Sequence, residues 1–538
     1  MSRSQSVAAL RHASTAQLLS VVTAVLVGLL PPVPPGVRAA QAPVAFAAPA
    51  EAATAAYLES IRDEPLLLRA FLQAMPKGGD LHNHPSGAVY AESLIAYAAE
   101  DGLCVLRATL VLVAPPCDAT EGRVPASAAL ADQTLYDALV DAWSVRSFVP
   151  TPGVSGHDQF FGTFARFGLV TGARTGDVLA DVVAREADEG VSYLELMYGL
   201  DGGRAAALGA QVGWNPDLPR FREQLLVAGM ADVVAAARMD LDTAEDRMRE
   251  RMGCATSTPA RGCQVTVRYL QTGTRVLPPE QVFAQFVAGF ELARVDPRVV
   301  GINLVAPEDA YVARRDYRLH MAMLDALHSL APMVPIALHA GELAPGLVPP
   351  EDLRFHVREA VERGHARRIG HGVDIMYEDD PFGLLDELRR RDVLVEILLV
   401  SNEQILGVRG RQHPFPLYLR AGVPVALATD DPGVSRADMT AQYQLAVETF
   451  GLGYGDLKRL ARNSLEYSFL PGASLWADVA AGVRVAACAD EPFDADVIVG
   501  AACREHVGGS ERAWLEWRLE VDFTRFERQF RDWTTVSQ

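Results

Sequence analysis

Residues 334–342 read VPIALHAGE: a short apolar run that closes on His339, with Glu342 three residues beyond. The same shape recurs along the chain. Residues 368–371 (RIGH) close on His371, residues 423–431 (VPVALATDD) close on Asp430 and Asp431, and residues 80–84 (DLHNH) carry His82 and His84. Further β-rich runs lie at 191–198, 264–270, 299–305 and 393–400, separated by stretches of helical periodicity such as 279–294, 317–330, 350–363 and 381–391. With the strand at 79–84 this makes about eight strand–helix units, which predicts a parallel sheet closed into a TIM (β/α)8 barrel. An open doubly wound sheet is the competitor, weakened because no glycine-rich phosphate loop follows the first strand.

Other segments fit around that rhythm. A helical stretch at 52–75 leads through Gly78 and Gly79 into the first strand. From about 90 to 189 the pattern is mostly helical, broken by a loop at 115–117, and is longer than an ordinary βα connection. It reads as a helical insertion, a lid or a small subdomain. Helices follow the last strand at 437–450 and 455–469, and a C-terminal helical extension occupies 471–538, aromatic-rich near its end. The barrel with its insertion therefore spans 48–470.

Residues 1–47 read as an address. Arg3 and Arg11 precede a charge-free run at 18–30, followed by small-residue sites at 37–39 and 45–47. This is the pattern of a secretory signal peptide, and the run is short for a membrane span; the alternative is an uncleaved signal anchor. No later stretch could cross a bilayer, so no stable membrane insertion is expected after signal removal, and the mature protein would be secreted or periplasmic. The six cysteines fall as Cys104 and Cys117, Cys254 and Cys263, Cys488 and Cys503, which suggests neighbour disulfides among about 15 connectivities. No Cys-x-x-Cys spacing exists, which argues against a thiolate metal site. The net charge of −19 repels phosphate backbones and argues against nucleic acid as a partner. A composition of 49% hydrophobic and 22% charged residues is that of a globular chain rather than a disordered one.

The chemistry sits at the strand ends. His82 and His84 are two apart, so on a strand both imidazoles face one side. Strand C-termini converge on one face of a barrel, which would bring seven ionisable side chains from four strand ends into one pocket. Three histidines and a carboxylate suit Zn2+, and we assign one ion to His82, His84, His339 and Asp430, with a position open for water. His371 would then hold the attacking water or hydroxide, Glu342 would act as acid and base, and Asp431 would share a hydrogen bond with substrate. His320, His328, His356, His365 and His413 are read as structural, Glu195 as a buried barrel polar group, and Phe160, Phe161 and Phe164 as packing.

The segments MPKGGDLHNH, LHAGE, RIGHG and ATDDP, in this order, resemble the adenosine deaminase family within the amidohydrolase superfamily. MPKGG before the histidine pair, LARNSLEYSF at 460–469, the signal peptide and the long segment after the first strand are similar to the secreted adenosine deaminase growth factor branch. The resemblance covers roughly residues 70–470. It implies zinc on His82, His84, His339 and Asp430. It further implies Glu342 as proton shuttle to purine N1, His371 orienting the attacking hydroxide, and Asp431 at purine N7. The implied reaction is deamination of adenosine or 2′-deoxyadenosine to inosine-like product and ammonia, with a small purine nucleoside as partner. Relatives in that branch are often dimeric, which makes a homodimer an expected assembly.

Three positions depart from the family pattern. The fourth strand ends Asn303-Leu-Val-Ala306, where relatives carry glycine near purine N3, so backbone approach is less free at Ala306. Ser86 stands after the histidine pair, where many relatives place an acid against the sugar. His157 precedes the phenylalanine pair, where the growth factor branch tends to place a ribose-stacking Trp. These departures leave room for a different or modified aminopurine nucleoside. A non-catalytic binding or signalling protein on the same barrel is the reading from another class.

Overall fold

A computed structural model of the protein describes residues 49–493 and 497–531; the segment read as a signal peptide lies outside them. Eight strands carry the fold: β1 (Gly78–Asn83), β2 (Val191–Tyr198), β3 (Thr266–Thr274), β4 (Val299–Val305), β5 (Ala337–Ala340), β6 (Arg368–His371), β7 (Leu394–Ile397) and β8 (Val425–Leu427). They pair in parallel as β1–β2–β3–β4 and β5–β6–β7–β8. Two parallel bridges, Ile302 with Ile336 and Asn83 with Asp430, join the sets at both edges. The eight strands thus form a closed TIM barrel, which leaves no edge for another chain to pair with.

Parallel strands are covered on both faces, so they read as nearly continuous apolar runs. This is why β2, β4 and β6 have the bounds expected from sequence. The run at 393–400 is different. Its strand stops at Ile397 and Leu399–Leu406 is helical, because an unbroken apolar run does not distinguish a strand from a buried helix. Helices Pro279–Val295, Tyr311–His328, His356–Glu362 and Pro381–Arg390 lie between the later strands.

The insertion between β1 and β2 is not purely helical. Helices Ala91–Glu100, Gln133–Ala142, Gly156–Ala173 and Thr175–Asp188 accompany an antiparallel sheet of Cys104–Leu106, Val111–Val113 and Arg123–Pro125. Strands of three residues are too short for twofold alternation to register in the sequence. Beyond residue 470, a hairpin of Trp476–Asp478 and Val483–Arg484 precedes helices Ala501–Gly508 and Glu511–Arg528, so the extension also holds β structure. It has its own apolar cluster around Leu475, Trp517 and Val521. Its last helix packs Phe526 against Phe71 and Tyr454.

All six cysteines pair with their sequence neighbours: Cys104 with Cys117, Cys254 with Cys263, Cys488 with Cys503. Among the described residues no helix is long and apolar enough to cross a membrane.

One ion network ties the barrel together. Arg368, fully buried at the start of β6, donates to Glu195 of β2 at 2.6 Å and to Glu396 of β7 at 2.7 Å. Glu195 also accepts from Tyr193 and from the Phe469 amide, each at 2.6 Å, which bears out its reading as a structural group. Removing the cation would strand two carboxylates away from water. Arg368→Met is therefore expected to lower unfolding free energy by about 3–5 kcal/mol in a denaturant titration, the range for a broken buried pair.

Candidate active site

The C-terminal ends of β1, β5, β6 and β8 deliver the side chains that the sequence singled out to one cavity of about 340 Å3. Its wall includes His84, Ser86, Ala306, His339, Glu342, His371, Asp430 and Asp431. His82 lies directly beneath, fully buried. The local backbone is unusual where it turns into the cavity. His371, Asp430 and Ala306 have φ of 72°, 67° and 84°, a left-handed region that costs a side chain energy and that collects at functional sites. Gly341 in HAGE has φ of 76°, and a Cβ there would sit 2.4 Å from Asp374, so this turn requires glycine. Gly87 is required by contact instead: a Cβ would meet the Asp431 carboxylate at 1.8 Å.

Four donor atoms form a compact cage. Nε2 of His339 is 3.0 Å from Nε2 of His82 and 3.1 Å from Nε2 of His84. Oδ1 of Asp430 is 3.6 Å from His82 Nε2 and 3.4 Å from His84 Nε2. Ligands about 2.0–2.1 Å from a tetrahedral ion stand about 3.3–3.4 Å apart, so the cage has the dimensions of a zinc-sized site. The outer nitrogens are already committed. His82 Nδ1 donates to Glu396 at 2.8 Å. His339 Nδ1 donates to Asn303 Oδ1 at 2.9 Å, an assignment fixed because the Asn303 amide nitrogen donates to the Ala337 carbonyl. Two rings facing each other through Nε2 at 3.0 Å need a cation between them, a proton or a metal. Burial opposes charge on His82, yet its bonds to Asp430 and Glu396 outweigh that and raise the ring to about 10. The site therefore attracts positive charge. Carboxylate and amide partners behind imidazole rings are the usual support of a metal site.

A second grouping of donors, His82, His339, His371 and Asp430, also comes within ligand reach. In His371 the Asn402 side-chain amide meets Nδ1 at 2.8 Å, and Nε2 has no hydrogen-bond partner among the described residues. Burial pulls this ring down to about 3, so it is neutral.

Glu342 and Asp431 are both buried carboxyl groups raised well above the carboxylate range. Burial is the main cause for each; the Asp430 charge adds to it, together with Glu308 for Glu342. Protonated, each can donate to a ring nitrogen. Asp431 Oδ1 has no hydrogen-bond partner among the described residues, as expected of a group that waits for ligand. The loop carrying Glu342 is held by Glu308, which accepts from the Gly341 and Glu342 amides at 3.1 and 2.8 Å and pairs with His356 at 2.6 Å.

Two expectations change. Phe160, Phe161 and Phe164, read as packing, line the cavity together with Ile405 and form its apolar wall. His157, read as a sugar contact, does not line it. Its Nε2 pairs with Asp309 at 2.9 Å and its ring packs 4.7 Å from Phe161, one helical turn above. Residues 157, 160, 161 and 164 share one helix face, and the phenylalanines are the members that reach inward. The supporting residues Glu396, Asn303, Asn402 and Glu308 were missed. Their signal is a lone polar residue in or just after an apolar strand, as at Glu195.

Part of the chain is similar in sequence to known purine deaminases. The adenosine deaminase family model matches residues 230–476. An adenine deaminase of Cupriavidus necator is 27% identical over 297 residues, which cover 55% of this chain and 69% of the relative. An adenosine deaminase of Clostridium perfringens is 32% identical over 135 residues, covering 25% of this chain and 37% of its own length. An adenine deaminase of Sinorhizobium fredii is 30% identical over 205 residues, covering 38% of this chain and 57% of its own. Among solved structures, the N6-methyl-AMP deaminase of Arabidopsis thaliana aligns with TM-score 0.46 and 20% identity, covering 75% of this chain and 94% of that one. The family match takes in β3 to β8 and their strand-end residues, a little under half of the chain, and over that stretch the protein resembles adenosine deaminases, hydrolases that act on the C–N bonds of cyclic amidines.

Proposed function

We propose that the protein hydrolyses the exocyclic C–N bond of adenosine or 2′-deoxyadenosine, outside the cytoplasm, with one zinc ion on His82, His84, His339 and Asp430. The observation that carries this reading is the meeting of a four-donor cage with two buried carboxyl groups, Glu342 and Asp431, in one cavity. When bound, zinc supplies Lewis acidity that makes water nucleophilic near neutral pH.

The chain's own residues account for the rest. Glu342 protonates purine N1, which makes C6 electrophilic, and afterwards takes up the proton released by the attacking water. His371 holds the attacking oxygen in place. Asp431 donates to N7 and fixes the face of the base. The C6–N bond breaks, ammonia leaves with the transferred protons, and the 6-oxo purine remains. Phe160, Phe161, Phe164 and Ile405 exclude bulk water from the outer side.

Among the described residues no Lys or Arg lines this cavity, which disfavours a 5′-phosphate. The same apolar wall, with Ser86 as its hydroxyl, favours a second reading: an aminopurine whose sugar is altered or absent, in keeping with relatives described as adenine deaminases. Export is supported by the leader-like residues 1–47 and by three disulfides, which persist in oxidising compartments. The long insertion after β1 supports placement in the growth factor branch.

Purified protein is expected to convert adenosine to inosine, read as an ultraviolet absorbance shift that a zinc chelator abolishes. Adenine and AMP, assayed beside it, separate nucleoside, base and nucleotide substrates. Metal bound without turnover of any purine would favour a binding protein. Glu342→Gln should keep its metal and its melting temperature but lose at least about 10²-fold in kcat; near-normal turnover would remove Glu342 from the mechanism. His84→Ala should lose metal by elemental analysis while His371→Ala keeps it. The reverse would exchange the two histidines in the ligand set.

A further inference from the structure

Behind His371 runs a buried chain of hydrogen bonds that the proposed mechanism does not use. The Phe415 backbone N–H donates to Nδ1 of His413 at 3.1 Å. Nε2 of His413 lies 3.0 Å from Oδ1 of Asn402, and Nδ2 of Asn402 lies 2.8 Å from Nδ1 of His371. All three side chains are buried. They come from three places in the fold: the end of β6, the helix after β7, and the connection that leads to β8.

The direction of this chain is set at its far end. A backbone N–H can only donate, so His413 Nδ1 accepts and its proton is on Nε2. That proton goes to Asn402 Oδ1, which turns the Asn402 NH2 toward His371. His371 Nδ1 is then an acceptor, and its proton is on Nε2. Turning the Asn402 amide over would set its NH2 against the His413 N–H, donor against donor. The remaining His371 nitrogen, Nε2, has no partner among the described residues.

We propose that Asn402 and His413 are positioning residues that lock His371 as its Nε2–H tautomer. Two consequences follow. His371 cannot ligate a metal through either nitrogen, since one is occupied and the other protonated; this excludes it from the cage and leaves the fourth place to His84. In the deamination, His371 offers an N–H donor to the attacking oxygen rather than a lone pair to take its proton, which leaves the base role to Glu342. Only the second consequence rests on the proposed function.

The test is long-range 1H–15N correlation on full-length protein with 15N-labelled histidine rings, His371 being assigned by its loss in His371→Asn. Wild type should show His371 with Nδ1 unprotonated and Nε2 protonated. Asn402→Asp offers only acceptors, so it should move the proton to Nδ1 and lower kcat by about 10- to 100-fold with KM within about twofold. His413→Gln keeps a donor to Asn402 and should retain the wild-type tautomer; His413→Leu should lose it. This pair carries the test should Asn402→Asp not fold. An Nδ1-protonated His371 in the wild type, or His413→Leu with wild-type tautomer and kcat, overturns the proposal. A protein that turns over no purine yet shows the expected tautomers would defeat the deaminase reading alone.

Discussion

The closure of the barrel between its last and first strands is the constraint on which the site depends. Asp430 donates its backbone N–H to the His82 carbonyl at 2.8 Å and accepts the His84 N–H at 2.9 Å. One residue of the closing bridge thus binds on both sides of Asn83, and the three residues ranged about Asn83 are all donors of the cage. Buried Asp80 reinforces the seam by accepting from the Thr429 amide and hydroxyl, the latter at 2.5 Å. The backbone ladder that completes the fold is therefore also the ruler that sets the spacing of the proposed ligands. A register slip of one residue would turn His82 and His84 away from Asp430 together.

The same economy runs through the barrel interior. Glu396 accepts from Arg368 through one oxygen and from His82 through the other. The ion pair that fixes β2, β6 and β7 thereby also fixes the ring orientation of His82, a proposed ligand. On the next strand end, His371 is held from behind by neutral groups only, through Asn402 to His413. A carboxylate behind one histidine and an amide behind the other suit different tasks. The first strengthens a donor toward a cation, and the second fixes a tautomer without adding charge.

The barrel was legible because parallel strands are buried on both faces and their chemical residues fall at one end, so the apolar runs and the punctuation at His339, His371 and Asp430 recur in the same order. The cage residues were legible for the same reason. What escaped had a physical cause in each case. Glu396 and Asn303 sit inside apolar strands, where sequence alone shows a polar residue but not its partner. Asn402 falls in a helix that reads as a continuation of β7. Phe160, Phe161 and Phe164 looked like core because the cavity they line is itself apolar on that side. The three-stranded sheet of the insertion is built from segments too short to carry a period. Ala306 was the reverse case: its departure from glycine was visible in the sequence, and its φ of 84° gives that departure a cost.

Anomalous diffraction at the zinc edge from crystals of the metal-loaded protein tests the central claim most directly. The account predicts one peak, about 2.0–2.2 Å from Nε2 of His82, His84 and His339 and from a carboxylate oxygen of Asp430, with both His371 nitrogens outside bonding distance. A peak ligated by His371 in place of His84, or no ordered metal among these side chains, would contradict it.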